Sequence, residues 1–358
     1  MHAQPIPPGD RLVVPDVLRG VALLAMLIAH AKPFLVDIPG AVNFTMGNIN
    51  DLASPLFALV MGLSAQILAQ RTPADRRGRM LLQQAARGLV LVALGVWMST
   101  WGSWVAVVLS FLGLLLLVGV PILLLSTRWV IVVAVAVTVL SDPVNAWARA
   151  TLWPLVSPSP VLMQLSWWLV LGTPYRLINL LPFFLLGALL MRHGMKRDRA
   201  LWVMAAVAPV AYLVRPLLTN VFDVPDPVSG SYPDTLHDVG LVFATYVVIV
   251  LLATVRSPGP ARVIDIAFEP FRAIGAVALS LYLLHVAMLG FWLQPGFDST
   301  AGNDIARWSV VVLATVIAGW LWWRFIGAGP VEWLLGWVTG RPKRWSRDSV
   351  PPASALGD

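Results

Sequence analysis

The stretch Pro15-Asp16-Val17-Leu18-Arg19-Gly20-Val21-Ala22-Leu23-Leu24-Ala25-Met26-Leu27-Ile28-Ala29-His30 carries charge only near its start and a histidine at its end. A helix needs about 20 apolar residues to cross the roughly 30 Å hydrocarbon core of a bilayer. The apolar run over residues 15–35 therefore reads as a membrane span. Nine more runs of this kind follow, at 51–70, 79–98, 104–125, 128–141, 176–193, 199–219, 236–256, 273–293 and 305–326. The expected fold is an all-α polytopic bundle of about ten transmembrane helices. Val161 to Leu171 is apolar but too short to cross and is fenced by Pro158, Pro160 and Pro174, so it is expected to be a half-helix at the interface.

Composition agrees with the spans. Of 358 residues, 58% are hydrophobic and only 12% charged, against about 25% in a soluble domain. The 17 Trp and 28 Pro suit aromatic belts and interrupted helices. Cysteine is absent, which excludes disulfides, thiolate metal sites and an acyl-cysteine intermediate.

Loop charge sets the orientation, because cytoplasmic loops collect Arg and Lys. With a cytoplasmic N-terminus, the inner side holds Arg11, Arg19, the Arg71/Arg76/Arg77/Arg79 loop, Arg128, the Arg192/Lys196/Arg197/Arg199 loop, Arg256, Arg262, Arg272, Arg324 and the tail Arg341/Lys343/Arg344/Arg347. The outer side holds Lys32, Arg149, Arg176 and Arg307, and gathers Asp223, Asp226, Asp234, Asp238, Asp298 and Asp304. Both termini are thus expected in the cytoplasm, in a bacterial-type plasma (inner) membrane. The net charge of +7 is largely inner-loop arginine and implies no nucleic-acid partner. One competing reading takes Gly20 to Ala31 as a signal-peptide core with a small-x-small cleavage site, which would leave the other nine spans oriented as before. The expected organisation is a disordered N-terminal segment at 1–14, one membrane domain at 15–337 and a basic, disordered tail at 338–358.

Ionisable groups inside a bilayer are costly, which marks them as functional candidates. Arg19 and His30 are eleven positions apart. At about 100° and 1.5 Å per residue they share one helix face, separated by roughly 16 Å of rise. Asp16, one turn before Arg19, is placed to pair with it. A structural pair plus a carbonyl-bonded histidine is the simpler alternative.

Asp16-Val-Leu-Arg19-Gly20-x-Ala22 resembles the first-helix signature of the transmembrane acyltransferase superfamily, which includes YeiB-like proteins, heparan glucosaminide N-acetyltransferases and acyltransferase-three proteins. The spacing from Arg19 to His30 resembles that of the acyltransferase-three proteins, whose histidine is held to be catalytic. Asp51-Leu-Ala-Ser-Pro55-Leu-Phe57-Ala-Leu-Val-Met61-Gly62-Leu-Ser64 is similar to a stretch of the heparan enzymes. Gly275-Ala-Val-Ala-Leu279-Ser280-Leu-Tyr282-Leu-Leu-His285 and Gly329-Pro330-Val-Glu332-Trp333-Leu334 resemble the closing motifs of YeiB-like proteins. The likeness runs from Pro15 to Leu334. Two departures stand out. The loop Pro33 to Asn50 lacks the histidine that the heparan enzymes carry there, offering only Asn43, Asn48 and Asn50, and many YeiB-like proteins have Asn where His30 stands.

The resemblance implies transfer of an acetyl or short acyl group from cytosolic acyl-CoA, with no permanently bound cofactor, to an extracytoplasmic glycan or lipid hydroxyl or amine. Acyl-CoA is polyanionic, so basic residues are expected at the inner mouth of a polar path. Arg71, Arg76, Arg77, Arg79 and the deeper Arg87 are the candidates there, with Arg19 holding the pantetheine or phosphate end. His30 is the candidate general base, or alternatively an acyl-imidazole carrier. Asp51 is expected either to orient His30 or to cap a helix. His285 could meet His30 at similar depth, with Tyr282 one turn below on the same face, or could bond a carbonyl. Asp234, His237 and Asp238 form a weak metal set and are read as an outer vestibule cluster, and no metal is expected. Arg215 would bind an anionic acceptor or snorkel. His193 is expected to be solvated. A ten-helix transporter of a small metabolite or lipid is the competing function, although residues 1–170 and 171–340 show no internal repeat. A tunnel joining Arg19 and Arg87 to His30 would favour the enzyme. The sequence assigns no oligomeric state.

Overall fold

The computed structural model describes residues 13–292 and 303–340. Most of the two terminal segments expected to be disordered therefore lies outside the described residues, as do Arg11, Asp298, Arg341, Lys343, Arg344 and Arg347. Within them the chain is helical, with no strand among the described residues. The order is α1 (Val13–Ala31), α2 (Gly40–Arg71), α3 (Arg77–Ser99), α4 (Leu109–Ile122), α5 (Thr127–Val156), α6 (Pro160–Ser166, continued by a π turn Trp167–Leu171), α7 (Leu177–His193), α8 (Arg199–Asn220), α9 (Tyr232–Ala253), α10 (Pro258–Ala276), α11 (Ala278–Ala287, continued by a π turn Met288–Trp292), α12 (Ile305–Ser309), α13 (Thr315–Phe325) and α14 (Pro330–Val338). Seven segments are long and apolar enough to cross a membrane, and the bent α10–α11 pair makes an eighth. Against the ten expected spans, α4 and α7, of 14 and 17 residues, are apolar helices that fall short of that length. The expected half-helix is the short apolar segment Pro160–Leu171.

Three boundaries differ from the sequence reading, each for a physical reason. Helix α2 starts eleven residues before Asp51, so its 32 residues span about 48 Å and overrun a bilayer core. Helix α5 runs on past residue 141 because its polar residues find partners: the Asp142 carboxylate accepts the Tyr232 N–H at 3.2 Å, and Asn145 Nδ2 donates to Asn179 Oδ1 at 2.9 Å. Helix α10 overlaps an expected span, 273–293, only in its last four residues. Its Arg262, Asp265, Glu269 and Arg272 interleave with Val263, Ile266, Phe268 and Phe271, giving an amphipathic period without an apolar run. It meets α11 at Val277 with a 69° bend.

Helices α1, α2 and α7 form the centre, where Leu18, Leu23, Leu27, Leu56, Leu59, Leu63, Phe184 and Leu185 are fully buried. Lipid offers no hydrophobic drive between helices, so close approach rests on small residues and dispersion contacts. A Cβ on Gly62 would fall 1.8 Å from the Phe184 carbonyl oxygen, and one on Gly187 2.0 Å from that of Leu59, so α2 and α7 touch backbone to backbone. Gly20 and Gly275 make the same kind of crossing between α1 and α10, against Phe271 O and Asp16 O. By contrast, the apolar α5 window is only 17% buried, leaving Val132, Val135 and Val139 on its outward face exposed.

Candidate active site

Helix α1 is apolar between its charged start and His30, so it can bury in the centre while presenting one polar stripe. At the inner end Arg19 donates to the Asp16 carboxylate at 3.3 Å and to Ser64 Oγ at 2.7 Å. At the outer end His30 Nδ1 lies 2.9 Å from His285 Nε2, with the rings stacked at 5.2 Å. His285 is fully buried, and its Nδ1 lies 3.2 Å from the Leu281 carbonyl oxygen. A carbonyl only accepts, so the proton of a neutral His285 sits on Nδ1 and its Nε2 is an acceptor. His30 Nδ1–H must then donate, which leaves the lone pair of a neutral His30 on Nε2. The pair thus has the logic of a base oriented by a second group. Tyr282 packs edge-on against His285 at 5.2 Å, and its hydroxyl oxygen accepts the Val108 N–H at 3.1 Å.

A cavity of about 480 Å³ lies inward of this pair, within the range of small-molecule sites. Arg19, Ser64, Arg71, Gln84, Arg87, Tyr282 and Glu332 provide most of its polar lining, while Phe57, Met61, Leu109 and Leu112 belong to its apolar wall. Along α2 it extends from Phe57 to Arg71, about 21 Å of helix rise. All four sequence motifs project into it: Arg19 from the first, Met61 and Ser64 from the second, Tyr282 from the third and Glu332 from the fourth. Neither His30 nor His285 is in the lining, so the expected tunnel from Arg19 and Arg87 does not extend to His30; Tyr282 in the lining packs against His285.

Several expected residues stand elsewhere. Arg76 pairs with Asp75 at 3.7 Å with both side chains about three-quarters exposed, and Arg77 is exposed; neither lines the cavity. The turn between α2 and α3 holds them at the surface, whereas Arg71 of the same expected set lines the cavity. Asp51 does not orient His30. It is an interior residue of α2, not a cap, and its carboxylate lies 3.1 Å from Arg215 Nη1 and 3.7 Å from His237 Nε2. Arg215 also reaches Asp234 at 3.3 Å, so it is an internal counter-ion in place of a free anion site. The outer cluster is a packed junction of α2, α8 and α9, and among the described residues no group has metal-binding geometry. Nearby, Arg176 is buried and donates to the Ser229 carbonyl at 2.6 Å. Burial lowers its pKa to about 10; Arg149 acts in the same direction and Asp234 opposes it. His193 is half-exposed and pairs with Asp198 at 3.1 Å. Arg192 caps the end of α4, donating to the carbonyls of Leu123 at 2.6 Å and Leu125 at 3.1 Å.

The junction predicts a separation of roles. Asp51→Asn should leave catalysis within about threefold of wild type. Arg215→Met, which leaves Asp51 and Asp234 without their shared cation, should lower stability by about 2 kcal/mol. Thermal unfolding in detergent, followed by intrinsic Trp fluorescence, measures the second effect.

Residues 11–218, more than half of the chain, match the family described as heparan-alpha-glucosaminide N-acetyltransferase, catalytic. The chain belongs to this family. A second match, to the family described as protein of unknown function (DUF418), covers residues 187–342, the part holding the YeiB-like closing motifs. No curated protein matches the chain. The N-acetyltransferase family match contains Arg19, His30, Ser64 and Arg87, and the second match contains Tyr282, His285 and Glu332, so the cavity is built from both. Of these residues, Ser64 and Glu332 had been visible only as letters of a motif. Serine three residues after Met61 and glutamate three residues after Gly329 were the available signals.

Proposed function

We propose that this protein is a membrane acyltransferase that carries an acetyl or short acyl group from cytosolic acyl-CoA to an extracytoplasmic carbohydrate or lipid hydroxyl or amine. The observation that carries the reading is the cavity into which all four motifs project, lined by Arg19, Arg71 and Arg87 and by Tyr282, which packs against His285 of the histidine pair. Its extent along α2 suits an extended pantetheine arm. Arg71 and Arg87 would meet the phosphates, and Arg19, already fixed by Asp16 and Ser64, would hold the arm. Rotation of Tyr282 would open the cavity onto His285 and His30.

Chemistry then needs one base. His30 Nε2 takes the proton from the acceptor hydroxyl or amine as its oxygen or nitrogen attacks the thioester carbonyl. His285 Nε2, accepting from His30 Nδ1–H, steadies the imidazolium that forms. The tetrahedral intermediate collapses, the C–S bond breaks and the CoA thiolate recovers the proton from His30. In the covalent variant, His30 Nε2 attacks the thioester carbonyl, the C–S bond breaks and CoA leaves as its thiolate, and the acceptor then attacks the acyl-imidazole, its proton passing to the thiolate as His30 is released.

The test is acyl transfer by purified protein in proteoliposomes, with radiolabelled acetyl-CoA and longer acyl-CoAs outside an envelope extract of glycans and lipids. Transfer should be detected, and Arg19→Gln and Arg87→Gln should each raise the KM for acyl-CoA about tenfold with a smaller change in kcat. Absence of transfer with every acyl-CoA would sink the proposal. Counterflow of a labelled small solute without acylation would instead establish a transporter.

A further inference from the structure

The bend at Val277 gives α11 a free start inside the bundle. The first N–H groups of a helix have no partner within it and must be satisfied from elsewhere. Glu332, fifty-two residues later on α14, supplies that partner: Oε1 accepts the N–H of Leu279 at 2.6 Å and of Ser280 at 3.2 Å, and Oε2 accepts the Ser280 hydroxyl. Ser280 Oγ in turn accepts the Val331 N–H at 3.0 Å. A Cβ on Gly329 would fall 2.0 Å from Glu332 Oε2 and 2.6 Å from Ser280 Oγ, so any side chain there would displace the Glu332 carboxylate from this arrangement. The two closing motifs are thereby one structure.

Helix α11 is ten residues long and carries Tyr282 and His285 on its first two turns. A helix this short has little stability of its own, and a carboxylate at its N-terminus offsets both the unpaired N–H groups and the dipole. Both carboxylate oxygens are engaged, which also moderates a negative charge placed in the wall of a cavity read as holding a polyanion. We infer that Glu332 is a positioning residue: by capping α11 it fixes the place of His285, and through His285 the tautomer and orientation of His30. The inference rests on the proposed role of the histidine pair, but its structural part can be tested without turnover.

The experiment measures the rate at which His30 is carbethoxylated by diethylpyrocarbonate, read by peptide mass spectrometry, in wild type, Glu332→Gln, Glu332→Asp, Ser280→Ala, His285→Ala and the Glu332→Gln/His285→Ala double variant. His285→Ala should slow labelling at least threefold, because His30 loses the acceptor that holds its reactive lone pair on Nε2. Glu332→Gln and Ser280→Ala should slow it in the same direction, and Glu332→Asp should recover part of the loss. In the double variant Glu332→Gln should add nothing. In the transfer assay, Glu332→Gln should lower kcat about tenfold while KM for acetyl-CoA stays within twofold. Unchanged His30 labelling in Glu332→Gln, or an additive effect in the double variant, overturns the inference. If wild type transfers no acyl group, the proposed activity fails, and the labelling series still decides the role of Glu332.

Discussion

His30→Ala is expected to lower acyl transfer by about 10³-fold or more while leaving acetyl-CoA affinity within about twofold. Both halves of the expectation follow from where His30 stands. A positioned base contributes roughly 10²–10⁴-fold, and a covalent carrier contributes more. The proposed donor cavity, however, is lined without His30, so contacts that phosphates and pantetheine would make there survive the substitution. His285→Ala should fall between the two, at about 10- to 100-fold, since it removes the acceptor that fixes the His30 tautomer but keeps the base itself. Initial rates in proteoliposomes and calorimetric titration with acetyl-CoA measure the two quantities separately. A His30→Ala protein with wild-type turnover would remove the histidine from the chemistry. One that had lost acetyl-CoA binding would place it in the donor site.

Much of this arrangement was legible because it follows from one-dimensional quantities. Hydropathy located seven of the ten expected spans, an eighth as a bent pair, and the short apolar segment expected at Val161 to Leu171, since the bilayer imposes a length on apolar runs. Helical spacing put Arg19 and His30 on one face, and equal depth brought His285 to His30. The misreadings concern partners, which no periodicity encodes. Asp51 was matched to the nearest catalytic candidate in sequence, yet α2 extends outward and delivers it to Arg215 and His237 on α8 and α9. Arg76 and Arg77 look like the richest part of the basic cluster, but a turn between two helices holds their side chains in solvent, while Arg71 at the end of α2 and Arg87, set into α3, line the cavity. Helix α10 escaped because its apolar residues alternate with charges. Without α10 there is no bend at Val277, so the need for a cap on α11 and the purpose of Glu332 stay hidden.

The largest effect on folding is expected at the α2–α7 crossing, where Gly62→Val should prevent recovery of a monodisperse protein. The added Cβ would sit 1.8 Å from the Phe184 carbonyl oxygen, and the clash is with backbone, so no rotamer change relieves it. The helices would have to separate by more than an ångström along a contact that Gly187 makes reciprocally against Leu59. Overpacking in a dense core typically costs 1–3 kcal/mol, and a rigid backbone collision at the centre of the bundle exceeds that, about 4 kcal/mol or more. Separation would also pull Ser64, two residues from Gly62, away from Arg19 and open the inner wall of the donor cavity. Gly47 is the control: it lies in the same helix with nothing within 4 Å of its would-be Cβ, so Gly47→Ala should be neutral or stabilise by up to about 1 kcal/mol through helix propensity. Size-exclusion profiles and thermal midpoints of the two variants in one detergent make the comparison, and equal stability of Gly62→Val and Gly47→Ala would mean that α2 and α7 are not in backbone contact.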